Sequence, residues 1–245
     1  NPGTPDVKNG IMIYSNNIPY KNTNIRQIFS GITKTPVYID NDANCAALGE
    51  ATSGGAKGYA DSITVTLGTG VGGGIIINGK IYSGHNYAGG ELGHHVIMMG
   101  GEQCSCGRKG CFEAYASATA LIRDTKKAAS LHPDSKINSI CDNNTENIDA
   151  KTVFIAKRAG DPYAAELVDN YIRYLGEGIS NIINIFQPDI VLIGGGISKE
   201  GDGLLNPLRE FVRHNTYKSE GISKTLIRQA VLGNDAGIIG AAMLG

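Results

Sequence analysis

Residues 89–117 read GGELGHHVIMMGGEQCSCGRKGCFEAYAS and concentrate cysteine, histidine and carboxylate in one glycine-rich segment. Three of the chain's five cysteines lie here, with the spacing Cys104-x-Cys106-x4-Cys111, and His94 precedes the first of them by ten residues. Three thiolates and one imidazole are a common ligand set of structural zinc sites. The spacing therefore predicts that these four side chains hold a structural zinc ion.

Disulfide bonds are the alternative use of these cysteines. Cys104 and Cys106 are too close in the sequence to pair comfortably, and Cys45 falls in a predicted helix. No positively charged start leads into an apolar run, so we expect a cytoplasmic protein with reduced thiols. Zinc is thus the favoured interpretation, and Cys141, in the polar segment CDNNTEN, is expected to have no role.

Charge and hydropathy narrow the classes of partner. The chain carries a net charge of −1, and its lysines and arginines are scattered apart from a short RDTKK at 123–127. This distribution lacks the basic patch by which proteins bind nucleic acid, so no such partner is expected. The longest apolar runs are far shorter than the roughly 20 residues needed to cross a bilayer, so no membrane partner is expected either.

Glycine is the outlier of the composition, with 34 of the 245 residues, against a usual share of about 7%. The excess is clustered at 66–74, 88–93, 99–110 and 193–203. Clusters separated by ordinary sequence indicate tight turns and backbone that approaches a ligand closely.

Alternating strand and helix patterns predict an α/β protein. Predicted strands cover 10–15, 36–40, 62–68, 72–79, 80–84, 189–195 and 226–232. Predicted helices cover 42–52, 112–129, 151–159, 162–186, 203–215 and 236–244. The strands between 62 and 84 are expected to form an antiparallel meander, because glycine turns and an Asn-Gly pair join them. We expect residues 1–55 to be the remainder of an N-terminal lobe and residues 56–245 to form a C-terminal lobe that carries the zinc loop.

A second chemical feature is the segment YIDNDANCAALGE at 38–50, where acids and amides crowd the junction of a strand and a helix. Asp42 has two interpretations there. It is either the N-cap of the helix or a base, at the carboxyl end of a strand, that accepts a proton from a substrate hydroxyl. In the second case Asn41 would hold a neighbouring hydroxyl group.

The segment LGTGVGGG at 67–74 is likewise open to two interpretations. It is either a simple hairpin turn or a cradle of backbone N–H groups for phosphate. It is not the common P-loop, because no Gly-Lys-Ser/Thr follows it.

Together these motifs resemble the ROK family (repressors, open reading frames and sugar kinases). The resemblance rests on five segments in this order: NDANCAALGE, TLGTGVGGGIIINGKIYSGHNYAGGELGH, CSCGRKGCFEAYAS, IVLIGGGIS and DAGIIGAAMLG. It implies an actin-like ATPase (ribonuclease H-like) fold with two lobes. The family's first phosphate motif, Asp-x-Gly-Gly-Thr, has no counterpart here and would lie upstream of Asn1. The N-terminal lobe is therefore expected to be incomplete, and the chain expressed alone to be inactive as a kinase.

The resemblance also implies roles for individual residues. Asp42 corresponds to the family's catalytic base and Asn41 to a sugar contact, while Asp40 replaces the glutamate that usually precedes them. Further sugar contacts are implied for Glu91, His94 and Glu113. The implied nucleotide contacts are Gly68, Thr69 and Gly70 in the second phosphate loop, and Gly194, Gly195 and Gly196 in the adenosine-side loop.

The function implied by the resemblance is ATP-dependent phosphorylation of a hexose at its 6-hydroxyl, with glucose as the leading substrate. Mg²⁺ would neutralise phosphate charge, and zinc would organise the sugar pocket. A kinase of N-acetylglucosamine or N-acetylmannosamine and a sugar-sensing transcriptional repressor are the alternatives, and the retained Asn-Asp pair favours a kinase. The protein is expected to form a homodimer or homotetramer.

Overall fold

A computed structural model describes residues 3–15, 18–217 and 224–245. Within them the chain forms a small antiparallel sheet and a larger mixed sheet. The small sheet consists of β1 (Thr4–Asp6), β2 (Ile11–Tyr14) and β3 (Lys21–Asn24), in that order. Helix α1 (Ile25–Thr33) follows, and the Asn24 side chain caps it by accepting the Gln27 amide.

The larger sheet has the strand order β6-β5-β4-β7-β8. Its strands are β4 (Ser62–Leu67), β5 (Val71–Ile77), β6 (Lys80–Ile81), β7 (Ile190–Gly195) and β8 (Leu226–Gln229). The first three form the predicted antiparallel meander, whereas β7 runs parallel to β4 and β8 runs parallel to β7. The carboxyl ends of β4, β7 and β8 therefore lie at one edge, where α/β sheets bind their ligands.

The helices cover both faces of this sheet. They are α2 (Asp42–Ser53), α3 (Glu113–Ala116), α4 (Ala118–Leu131), α5 (Lys136–Ile140), α6 (Thr152–Arg158), α7 (Pro162–Phe186), α8 (Asp202–Asn215) and α9 (Ala236–Ala242). The main core joins the buried side chains of β4 and β7 to those of α7, with Ile63, Val191 and Ile179 among them. On the opposite face α2 lies over β5 and also packs against α9.

Glycines allow the two close packings of α2. A Cβ atom at Gly74 of β5 would lie 2.5 Å from both the Ala43 carbonyl oxygen and the Ala47 Cβ. A Cβ atom at Gly240 of α9 would collide with the backbone of α2 at Cys45. Real Cβ atoms do not approach other atoms this closely, so α2 can pack at these distances from β5 and α9 only because both positions are glycine.

Most predicted elements are confirmed, but the strand predicted at 36–40 is wrong. These residues form no strand within the described part of the chain. Ile39 is instead buried against Met12 and Ile25. An apolar pattern reports burial and does not reveal whether a neighbouring backbone supplies hydrogen bonds.

The helix predicted at 112–129 is two helices. Ser117 adopts an extended conformation after α3 and caps α4, with its side chain accepting the Ala120 amide at 3.1 Å. Four short elements, β1, β3, α1 and α5, were not predicted. The division into lobes at residue 55 stays a prediction, although α2, which precedes it, packs on the larger sheet.

None of the described helices combines the length and apolarity needed to span a membrane.

Candidate functional site

Two glycine turns meet at the carboxyl edge of the larger sheet. Leu67, the last residue of β4, pairs with Gly195, the last residue of β7. The turn 68–70 and the segment 194–196 therefore leave neighbouring parallel strands side by side. The sequence had separated these two predicted nucleotide loops by more than a hundred residues, and the strand pairing brings them together.

Gly195 is required by the backbone at this edge. Its φ of +85° lies in the left-handed region, and a Cβ atom would collide with the Leu67 carbonyl group. At Gly196, by contrast, a Cβ would meet no atom within 4 Å, so the surface beyond the strand end is open. Gly195 and Gly196, which are both exposed, thus offer bare backbone to a ligand.

Asn41, and not Asp42, is the N-cap of α2. Its Oδ1 atom accepts the Ala43 amide at 2.8 Å and the Asn44 amide at 3.4 Å, and its Nδ2 atom donates to the Gly3 carbonyl at 3.0 Å. The interpretation of Asp42 as the cap is therefore wrong. Asn41 is also more constrained than a free sugar contact, because its carboxamide already makes these bonds.

Asp42 is consequently left with an exposed carboxylate at the first turn of α2. Within the described part of the chain, this carboxylate accepts one hydrogen bond, from the Ala43 amide at 3.1 Å. Ala43 lies over β5, since a Cβ atom built on Gly72 would be 3.6 Å from the Ala43 Cβ. Gly72 in turn pairs with Thr66 near the end of β4, so α2 begins close to the strand ends that carry the glycine turns.

The four predicted zinc ligands form one cluster. The ligand atoms of His94, Cys104, Cys106 and Cys111 all lie within 4.8 Å of one another. The distance from His94 Nδ1 to Cys104 Sγ is 3.5 Å, and that from Cys106 Sγ to Cys111 Sγ is 3.7 Å.

These distances fit zinc. Tetrahedral zinc with its usual bond lengths places a nitrogen and a sulfur ligand about 3.5 Å apart and two sulfur ligands about 3.8 Å apart. Two of the six distances among these ligand atoms therefore match tetrahedral zinc, and all six lie within 4.8 Å. Because His94 turns Nδ1 towards the cysteines, its Nε2 atom is left for another partner.

The thiols differ in environment. Burial raises the pKa of the Cys111 thiol above its ordinary value, whereas the Arg108 amide lowers the pKa of the exposed Cys106 thiol. Metal binding requires thiolates, so zinc would have to displace the proton of Cys111.

Glu113 joins the cysteine loop to the glycine turn. Its Oε2 atom accepts the Val71 amide at 3.0 Å, and its Oε1 atom accepts the Ser105 hydroxyl at 3.0 Å. A Cβ atom at Gly70 would collide with the same carboxylate, so glycine is needed there for Glu113 to reach the hairpin. The site residues at 68–70 and at 104–113 thus form one connected unit.

Glu91 lies immediately before the short helical turn 92–94 that carries His94, and its side chain is exposed. Leu92 holds this turn against β5, because a Cβ atom on Gly73 would be 2.6 Å from Leu92 Cδ1. The sequence did not identify Ser105, whose contact with Glu113 depends on how the cysteine loop folds. Its place between two predicted metal ligands, Cys104 and Cys106, is the sequence signal that could have indicated it.

Known proteins resemble this chain over almost all of its length. The family model described as "ROK family" matches residues 2–245. Glucokinase of Halalkalibacterium halodurans is 40% identical over 99% of this chain and 73% of its own length. Glucokinase of Thermotoga maritima is 38% identical, over 99% of this chain and 76% of its own length.

Solved structures agree as well. The ROK glucokinase of Streptomyces griseus, in complex with glucose and AMPPNP, aligns with a TM-score of 0.86 at 35% identity and covers 99% of this chain and 78% of its own. Repressors also match: the xylose repressor of Caldicellulosiruptor bescii is 32% identical over 97% of this chain and 61% of its own length. With its zinc-type cluster, paired glycine turns and these matches, the chain belongs to the ROK family and has the actin-like ATPase fold.

Proposed function

We propose that the protein is an ATP-dependent hexose kinase that phosphorylates glucose at its 6-hydroxyl. The observation that carries the proposal is the exposed Asp42 carboxylate at the start of α2. Asn41 caps this helix, so the Asp42 carboxylate is not needed as the cap. It lies near the strand ends that bear both glycine turns. Glucokinases that are 36–40% identical to the chain support it, as does the S. griseus relative that binds glucose and AMPPNP.

In this proposal Asp42 accepts the proton of the sugar 6-hydroxyl while the hydroxyl oxygen attacks the γ-phosphorus in line, the bond from that phosphorus to the β–γ bridging oxygen breaks, and ADP leaves. The cap made by Asn41 fixes the first turn of α2 and so fixes where the base stands. Asn41 has one amide hydrogen beyond its bond to Gly3, which it would offer to a sugar oxygen.

The sugar is held on the other side by Glu91, Glu113 and His94, whose Nε2 faces away from the cysteines. Zinc would supply no chemical step at a site closed by four protein ligands. The effect of zinc on the sugar would pass through contacts within the protein. Cys104 and Ser105 lie on the metal loop (residues 104–111), and the Ser105 hydroxyl donates a hydrogen bond to the Glu113 carboxylate at 3.0 Å. The metal loop thereby orients a sugar ligand.

The nucleotide lies along the carboxyl edge of the sheet. The turn of Gly68, Thr69 and Gly70 binds its phosphates through the amides of Thr69 and Gly70. The segment of Gly194, Gly195 and Gly196, which is exposed at Gly195 and Gly196, lies against the adenosine. Mg²⁺ would accompany the nucleotide and neutralise phosphate charge. A cytoplasmic location and a homodimeric or homotetrameric assembly complete the proposal.

Two other functions have support among the relatives. A putative N-acetylmannosamine kinase of Listeria monocytogenes aligns with a TM-score of 0.82 at 28% identity, covering 99% of this chain and 77% of its own. Xylose repressors are the other class. A kinase of glucose or of an N-acetylated sugar converts ATP to ADP as it phosphorylates the sugar, whereas a sugar-sensing repressor binds sugar without consuming ATP.

The test is sugar-dependent ADP release by the purified protein, including any residues encoded upstream of Asn1. Glucose, mannose, N-acetylglucosamine, N-acetylmannosamine and xylose should be compared. We expect the highest kcat/KM with glucose. A higher value with an N-acetylated sugar would move the proposal to the second substrate class, and sugar binding without ADP release would overturn the kinase assignment.

A further inference from the structure

The glycine turn 68–70 is anchored to the start of α4. The Ala118 amide donates to the Gly68 carbonyl at 2.8 Å, and the Thr119 hydroxyl donates to the Thr69 carbonyl at 2.7 Å. Ala118 and Thr119 both lie in the first turn of the helix. Backbone N–H groups there have no partner within the helix, so the Ala118 amide is available to the turn. Two consecutive carbonyl groups of the turn are thus held by one helix end.

The anchored carbonyls fix the direction of the amides between them. In a planar trans peptide the C=O and N–H groups point in opposite directions, and the described residues contain no cis peptide bond. The N–H of Thr69 shares a peptide plane with the Gly68 carbonyl, and the N–H of Gly70 shares one with the Thr69 carbonyl. Both N–H groups must therefore point away from α4.

The neighbouring amides are already used. Gly68 donates to the Gly70 carbonyl at 3.0 Å, and Val71 donates to Glu113 at 3.0 Å. Within the described residues, the amides of Thr69 and Gly70 donate to no protein acceptor. Two adjacent N–H groups aimed to the same side and lacking an acceptor are the elements of an anion-binding nest.

We propose that Thr119 is a positioning residue for the nucleotide. Its hydroxyl holds the Thr69 carbonyl towards α4 and so presents the Gly70 amide to a phosphate oxygen. Thr119 itself does not contact the phosphate. The inference rests on the proposed kinase function, because it assigns the anion to the nucleotide.

The test uses the protein with any residues encoded upstream of Asn1 and a non-hydrolysable ATP analogue with Mg²⁺. Thr119→Val removes the hydroxyl at nearly constant shape and should weaken binding of the analogue about five- to tenfold, as expected for one lost hydrogen bond. Thr119→Ser keeps the donor and should stay within about twofold of the parent. The Kd for glucose should be the same in all three proteins.

Thr33→Val is the matched control. Thr33 is an exposed threonine whose hydroxyl donates to a carbonyl, that of Phe29 at 2.9 Å, on α1 and outside the proposed site. It should leave both affinities unchanged. Equal analogue binding by Thr119→Val and the parent would overturn the inference, and so would a loss of sugar and analogue affinity together that Thr119→Ser does not restore. A parent protein that neither binds the analogue nor phosphorylates sugar would instead overturn the proposed function, and with it this inference.

Discussion

The carboxylate of Glu113 accepts the backbone amide of Val71 at 3.0 Å, while its second oxygen accepts the hydroxyl of Ser105 at the same distance. One side chain, at the start of α3, therefore links the cysteine loop (residues 104–111) to the glycine turn 68–70 that follows β4. If Glu113 binds sugar, the sugar site and the phosphate turn share a residue.

Asp42→Asn is expected to reduce kcat by several orders of magnitude and to leave the Kd for glucose nearly unchanged. The asparagine keeps the shape of the side chain but cannot accept the proton. Steady-state kinetics and sugar-binding calorimetry on the same preparation check both statements. Asp142→Asn is the control. Asp142 is an exposed aspartate with φ +55°, a conformation that asparagine tolerates well. Turnover within about tenfold of the parent would remove Asp42 from the role of base.

The parent protein is expected to contain one zinc ion per chain, and Cys106→Ser to lose it. Removal of one thiolate leaves three ligands and lowers metal affinity. Elemental analysis after dialysis measures the metal, and a glucose titration measures the effect on the loop. Cys141→Ser is the control, because Cys141 is buried outside the cluster and donates to the Asn138 carbonyl, a bond that serine can keep. A parent without metal would contradict the assignment of the four ligands.

Ser105→Ala is expected to raise the Kd for glucose a few-fold while zinc content and kcat stay close to the parent values. The change removes the hydrogen bond to Glu113, which makes the carboxylate less well ordered, and also a weaker 3.9 Å contact with Cys104 Sγ. Ser139→Ala, which removes an exposed hydroxyl bonded to the Lys136 carbonyl, should have no effect on sugar binding. Loss of zinc in the Ser105 variant would show that the serine supports the metal loop rather than Glu113.

Gly74→Ala is expected to lower the free energy of unfolding by about 1–3 kcal/mol and to reduce kcat. The new methyl group would lie 2.5 Å from α2, so the helix that carries Asp42 must shift. Gly203→Ala, in α8 with no atom near its Cβ position, should instead raise stability by about 0.5–1 kcal/mol. Urea denaturation of the two variants and the parent provides the comparison.

Asp161→Asn is expected to destabilise the protein at neutral pH by about 1–2 kcal/mol. Burial raises the pKa of Asp161, but hydrogen bonds from the Ala164 amide, the Ser135 hydroxyl and the Lys136 amide outweigh it, so the pKa is lowered overall. A lowered carboxyl pKa stabilises the fold above the unfolded-state value of about 3.9, and this contribution is lost as the pH falls through the folded-state value.

The difference in the free energy of unfolding between Asp161→Asn and the parent should therefore have its largest value at pH 7 and should decrease below about pH 4. Urea unfolding at a series of pH values measures it. Asp169→Asn, on the exposed side of α7 and paired with Lys157, serves as control and should change stability little at any pH. A difference that is constant with pH would mean that the side chain's charge has no part in its role.

The larger sheet and its helices could be predicted because their signals are local. The glycine turns, the Asn-Gly pair before β6 and the long apolar face of α7 each specify one element. The cluster of His94, Cys104, Cys106 and Cys111 was predictable for the same reason, since the spacing of the three cysteines reflects one loop. Asp42 was harder, because sequence cannot decide which of two adjacent polar residues takes the cap; the hydrogen bonds of Asn41 decide it.

Contacts between distant segments could not be predicted. Leu67 and Gly195 pair only because β7 lies beside β4 in the sheet. Thr119 contacts Thr69 only because α4 begins next to the turn 68–70 between β4 and β5. The wrong strand at 36–40 has the same cause. The burial of Ile39 follows from side chains of β2 and α1, which a local pattern does not contain.

The close packing of α2 against α9, through Gly49 and Gly240, has a consequence for synthesis on the ribosome. At about 5–20 residues per second, the chain between the end of α2 at Ser53 and the start of α9 at Ala236 takes on the order of ten seconds or more to emerge. Throughout that interval the helix that carries Asp42 lacks its packing against α9. We therefore expect the nascent chain to be unable to consume ATP until α9 has been translated.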